Sequence, residues 1–297
     1  MGDLRAFLLS WQFETEVVVG LALSAFLYAR GWRRLRKRGR GGRILRRWRA
    51  WCFAAGLTAV GVALLSPVAT FGSLLMSMHM IQHLLLIMIA APLLLLGAPM
   101  LPMLWAFPRG GRRRLGRLLH PSNPVHRVFH FLTRPGIALP VFILVVVIWH
   151  YPPLYDAAQG RTITHDLEHF CFLAAALLYY WPLIHPTGSP RRMSYGAGIL
   201  YLFPSKLTGF VIGASLSMAQ TPWYQTYINA PRLWGLSALD DQQLAGLIMW
   251  IFGGLLYIFP LLLLVVMMIR EDEGDVWVPE VVRQRQAAAS RGEIEAA

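Results

Sequence analysis

The stretch Leu74–Pro99, LLMSMHMIQHLLLIMIAAPLLLLGAP, constrains the fold more than any other part of the chain. It exceeds the roughly 20 mostly apolar residues that a helix needs to cross a bilayer. Yet its first turns carry His79, Gln82 and His83, with Met76, Met78 and Met80 around them. Side chains three or four apart stack on one helix face. Met76, Met80 and His83 therefore fall nearly in line, with His79 on the same side. A membrane helix whose outer third presents imidazoles and thioethers on one face has the donor set of a soft-metal site.

Other apolar runs repeat the signal. Of 297 residues, 56% are hydrophobic and only 14% are charged, too apolar for a soluble domain of this length. The pattern predicts an all-α, polytopic bundle of seven transmembrane helices. The spans run near Trp11–Ala29, Trp51–Ser66, Leu74–Pro99, Gly136–Tyr151, Thr164–Ile184, Tyr195–Met218 and Asp241–Ile269. Pro260 is expected to kink the last, because proline removes a helical donor. Residues 1–270 make one membrane domain, and 271–297, mixing charges with Ala and Gln, read as a disordered tail. Glu14 and Glu16 before the first run, with no cationic start, favour a retained span over a cleaved signal peptide. Cys52 and Cys171 fall in different runs near opposite faces, so no disulfide is expected.

The net charge of +13 would suit nucleic acid, but its placement argues against that partner. Arg30–Arg49 holds eleven bases and no acid, and Pro99–Arg134 holds seven arginines and no acid. Arg191 and Arg192 mark a third basic connection. The alternate connections carry only Arg161 and Arg232 as bases, beside Asp156 and Asp240. Basic short loops stay cytoplasmic, which puts the N-terminus outside and the C-terminus in the cytoplasm.

Topology sorts the histidines by depth. His79 lies at the outer rim, and His83 about 6 Å deeper at 1.5 Å per residue. The fourth span ends at His150, and the fifth starts with HDLEH, placing His165 at the rim and His169 a turn below. These five histidines, with Glu168, Asp156 and Asp241, gather in one layer, and pairs at i,i+4 can both face one ion. A single histidine in a span is commonly a packing residue, but two H-x-x-x-H pairs plus His150 at one depth point to a metal or heme site. Met76 and Met80 are common packing side chains, and they hold copper open only by sharing the His face.

Other polar residues say less. Lys206 sits mid-span, where an unpaired ammonium costs several kcal/mol. Glu168, a carboxylate of the last span, or a water-filled cavity beside Pro204 would relieve it. His126 and His130 lie in the arginine-rich connection and read as part of an amphipathic surface helix. Trp223, Tyr224, Tyr227 and Trp234 read as interfacial anchors in a segment that would cover the His cluster.

Four ordered motifs carry a family resemblance: HMIQHLLL…APLLLLGAP, WHYPPLYDAA, HDLEHFCFLAAALLYYWP and DQQLAGLIMW. Together they resemble the multi-span CtaG family of bacterial cytochrome c oxidase assembly factors, over about Trp11–Ile269. The resemblance implies a multi-pass plasma-membrane protein that handles copper for a terminal oxidase. Its implied partners are oxidase subunits, a copper donor protein and membrane lipids. The expected ligands are His79, His83, His150, His165 and His169, with Glu168, Asp241, Asp156, Met76 and Met80 auxiliary, and Lys206 is outside the pattern. A copper-handling carrier is favoured over an enzyme; a seven-helix zinc hydrolase and a heme-binding protein are the rivals.

Overall fold

The computed structural model describes residues 9–39, 45–184 and 193–276. Arg40, Arg43, His185, Arg191, Arg192 and residues 277–297 of the expected tail lie outside them. The described residues are helical, with no strand. In chain order they form α1 (Thr15–Lys37), α2 (Arg47–Leu65), α3 (Pro67–Gly72), α4 (Met76–Leu84), a π turn (Leu85–Ala90), α5 (Ala91–Leu96) and α6 (Met100–Trp105). Then follow α7 (Arg109–Leu118), α8 (Pro124–Leu132), α9 (Pro135–Trp149), α10 (Pro152–Gln159), α11 (Thr162–Ile184) and α12 (Tyr195–Ser217). The series closes with α13 (Gln225–Ile228), α14 (Ala238–Leu247), a second π turn (Ile248–Phe252) and α15 (Gly253–Val276).

Five helices are long and apolar enough to cross a membrane, and α8 with α9 makes a sixth if that pair, bent by 72°, is one span. This is a membrane protein with transmembrane helices. The count differs from the seven expected because α1 ends in Arg33, Arg34, Arg36 and Lys37. Its apolar part is therefore shorter than the helix. The fourth span also starts abruptly: Pro135 opens α9, while α8, with no buried residue, turns away carrying His126 and His130.

The run α4–α5 is the centre of the bundle. Half of its most apolar stretch is buried, against 6% for that of Ala238–Arg270. It touches α2, α11, α14 and the second π turn. Pro92 lacks the N–H that the preceding turn requires, and the helix widens into a π turn just before it. The last span carries its own π turn eight residues ahead of Pro260.

Close crossings depend on missing side chains. A Cβ on Gly213 would sit 3.0 Å from the Gly246 carbonyl, and one on Gly246 2.5 Å from that of Gly213. The α12 and α14 backbones therefore meet directly, seating the start of the last span against its neighbours. Cys52 and Cys171 are free thiols.

Candidate metal centre

The first turn of α4 supplies none of its own capping groups. Asp241 on α14 does so instead: one carboxylate oxygen accepts the Met76 N–H at 2.6 Å. The other accepts the Ser77 N–H at 3.2 Å and the Ser77 hydroxyl at 2.5 Å. A carboxylate at a helix N-terminus satisfies orphan donors and complements the helix dipole. Further along α4, Gln82 donates to the Ala63 carbonyl at 2.9 Å. The helix is thus held at both of its polar positions, and His79 and His83 are aimed at α11.

α11 answers with His165, Glu168 and His169. His79 and Glu168 are fully buried, and His83 and His169 nearly so. The Nε2 atoms of His79 and His83 each lie 3.5 Å from the same Glu168 oxygen. Ring centroids are 4.2 Å apart for His79 and His83, 4.3 Å for His165 and His169, and 5.4–5.5 Å from His79 to either α11 histidine. His150, at the end of α9, stands 6.1 Å from His83. Its Nδ1–H donates to the Val146 carbonyl at 2.7 Å. A carbonyl only accepts, so Nε2 is left as a bare lone pair.

Buried polar atoms are almost always paired, but this centre breaks the rule repeatedly. Among the described residues, both ring nitrogens of His83, the Nε2 atoms of His150, His165 and His169, and both Glu168 oxygens are buried without a hydrogen-bond partner. Two groups of three residues bring ligand atoms within 4.8 Å of one another: His79, His83 and His169, and His79, His165 and Glu168. Nitrogens on opposite sides of an ion bound at about 2.0–2.1 Å stand about 4 Å apart. These spacings fit a bound ion, and the donor chemistry suits copper or zinc.

The structure separates the other expected site residues from this group. Asp241 holds α4 from outside the cluster, and its oxygens are occupied by Met76 and Ser77. Asp156 accepts from the Gln225 and Thr226 N–H groups and the Thr226 hydroxyl, at 3.0–3.2 Å. That pins the connection around α13. Met76 and Met80 pack with Tyr155, Leu216, Tyr224 and Tyr227. Among the described residues Lys206 pairs with no carboxylate, Glu168 and Asp241 included, but donates to the Trp250 carbonyl at 3.1 Å.

Tyr224 and Tyr227 are buried rather than interfacial, whereas Trp223 and Trp234 are exposed. With Tyr155, which meets His79 edge-on at 5.4 Å, they roof the cluster. Tyr227 donates to the Gly72 carbonyl at 3.0 Å, so the 2.9 Å contact between Tyr155 and Tyr227 has Tyr155 as donor. Sequence reasoning missed Gln159, whose amide nitrogen lies 3.4 Å from both ring nitrogens of His79. Its one signal is a position three residues beyond Asp156, on the same face of a short helix.

An uncharacterized protein of Mycobacterium bovis and one of Mycobacterium tuberculosis are each 30% identical to this chain, covering 88% of it and 40% of their own length. A third, from Mycobacterium leprae, is 28% identical over the same shares. The chain thus spans about 40% of the length of the curated relatives it matches. No solved structure matches it. Residues 26–271, which include every histidine of the cluster and the helices that aim them, match the cytochrome c oxidase caa3 assembly factor family (Caa3_CtaG), and the chain belongs to that family.

Proposed function

We propose that this assembly factor carries copper for the oxidase, binding it at the histidine–glutamate cluster on the extracytoplasmic side of the bacterial plasma membrane. The seven-span reading adds α1 and the bent α8–α9 pair to the five long spans, with the N-terminus outside and residues 271–297 as a cytoplasmic tail. A donor protein loads the ion from the outer side, and an oxidase subunit in the same membrane receives it. The chain acts as a carrier without a catalytic step.

The supporting observation is the set of buried ligand atoms on His83, His150, His165, Glu168 and His169 that have no hydrogen-bond partner among the described residues. Leaving one buried polar group unsatisfied costs about 1–3 kcal/mol, so a cation that engages several at once would remove a large penalty. Overlapping imidazole sets also allow stepwise ligand exchange, which a carrier needs more than extreme affinity.

The test is metal analysis of protein purified from copper-supplemented cells, together with oxidase copper content in cells carrying His79→Ala and His169→Ala. Bound copper, lost in the double variant along with oxidase copper, supports the reading. Protein free of copper in both oxidation states, or unchanged oxidase copper, overturns it. A second reading rests on the group His79, His165 and Glu168, a His₂Glu set of the kind zinc hydrolases use. Stoichiometric zinc with no copper would favour that alternative.

A further inference from the structure

Below the cluster, a cavity of about 60 Å³ reaches from His83 and His150 to Ser205, Lys206, Gly209 and Tyr257. A single water needs roughly 10–15 Å³ by this measure, so the space admits a small ion with part of its hydration shell. Its walls come from α4, the first π turn, the end of α9, α11, α12, the second π turn and α15. His83 and His150 are buried, whereas Gly209 on α12 is half-exposed, so the mouth lies on that side. A Cβ on Gly209 would meet nothing within 4 Å, and the mouth is open there.

The histidines themselves are graded. His165 is half-buried at the start of α11, and the others are buried. Successive ring centroids lie 4.3 Å (His165 to His169), 5.6 Å (His169 to His83) and 6.1 Å (His83 to His150) apart. The two three-residue groups share His79 and so adjoin. At the lower end, His150 lines the cavity, and its Nε2 is buried without a hydrogen-bond partner among the described residues.

Resting on the copper reading above, we propose that the cluster is a relay with a direction. His165 takes the ion from the aqueous side, and His79, Glu168, His169 and His83 hold it in turn. His150 then gives it up through the cavity to donor atoms of the receiving oxidase subunit, seated against the opening beside α12, so that the ion never enters the lipid without ligands. No oxidation state changes along the way; each step exchanges one ligand atom, an imidazole nitrogen or a Glu168 oxygen, for the next.

Lys206 explains why the path turns sideways. It lies eleven residues from either end of α12, near mid-membrane. Its ammonium donates to the Trp250 carbonyl within the second π turn, where carbonyls leave the regular α ladder. Gly254 leaves room for it, since a Cβ there would sit 2.7 Å from Nζ. The cavity lining contains no carboxylate. The Lys206 ammonium, three residues before Gly209 on α12, opposes a cation moving past it and leaves the mouth at Gly209 as the outlet.

The experiment uses full-length protein in lipid nanodiscs, loaded with Cu(I). Transfer is timed to a lipid-soluble phenanthroline chelator and, separately, to its sulfonated water-soluble counterpart. Gly209→Leu, which fills the mouth, is expected to slow transfer to the lipid-soluble chelator at least tenfold while leaving copper affinity and transfer to the aqueous chelator within about twofold. His150→Ala is expected to slow the lipid-side transfer likewise, and His165→Ala to slow loading from the aqueous side. Lipid-side transfer unchanged in Gly209→Leu, or both transfers slowed equally, overturns the relay while leaving copper binding intact. Absence of bound copper in the unmodified protein overturns the copper reading and the relay with it.

Discussion

Asp241 on the last span accepts the backbone N–H of Met76 at 2.6 Å, across 165 residues of sequence. The N-terminus of the helix that carries His79 and His83 is therefore built by the far end of the chain. Because the carboxylate also takes two hydrogen bonds from Ser77, the last span and the central helix are locked at the level of the cluster.

Removing that cap should loosen the site before it removes any ligand. Asp241→Ala strands the N–H groups of Met76 and Ser77 in a buried place, at about 1–3 kcal/mol for each unsatisfied group. The expected result is a fall of several degrees in the thermal unfolding midpoint in detergent, with weaker metal binding. Asp241→Asn, which keeps an acceptor but loses the charge, should lie between Ala and the unmodified protein.

The cluster itself predicts a graded loss of metal. Replacing a ligand that two groups share should cost more than replacing one at the edge. His79→Ala is therefore expected to lower copper affinity more than His165→Ala, and each by at least the roughly 10–100-fold that losing an outer partner of a metal ligand costs. Isothermal titration or chelator competition in detergent checks the order, and equal losses would remove the special place of His79.

The tyrosine roof should respond to alkali. Burial pushes the phenols of Tyr155, Tyr224 and Tyr227 up from their ordinary value. In an unfolded chain they ionise near pH 10, so the folded state alone keeps them neutral above that. Their contribution to stability is fully present below about pH 10 and declines as pH rises past it. Phenolate absorbance should lag behind that of a denatured control until the fold opens. Tyr227→Phe, which strands the Tyr155 hydroxyl, should lower stability by about 1–3 kcal/mol.

The crossing of Gly213 and Gly246 gives a packing prediction. A side chain on either must displace backbone of the facing helix rather than a flexible side-chain tip. Gly246→Val is expected to cost at least the roughly 1–3 kcal/mol typical of overpacking, seen as lower folded yield by size-exclusion chromatography. Gly209→Ala, with open space around it, should leave the yield unchanged.

Much of this protein is legible in its sequence because the bilayer imposes simple rules. Apolar runs of sufficient length become helices, since no other local structure satisfies its backbone in lipid. The i,i+4 spacing of His79 with His83 and of His165 with His169 puts each pair on one face, and matching depth puts the pairs on one level. Tertiary structure decided the rest. Only the packed bundle could aim Glu168 between His79 and His83, and send Asp241 to a helix end and Asp156 to a loop. Only there could Lys206 meet a carbonyl of a π turn. The physical reason is that periodicity records which face a residue occupies, but a carboxylate's partner depends on the rotation and offset of neighbouring helices. Those are set by close contacts such as Gly213 on Gly246, which no local pattern encodes.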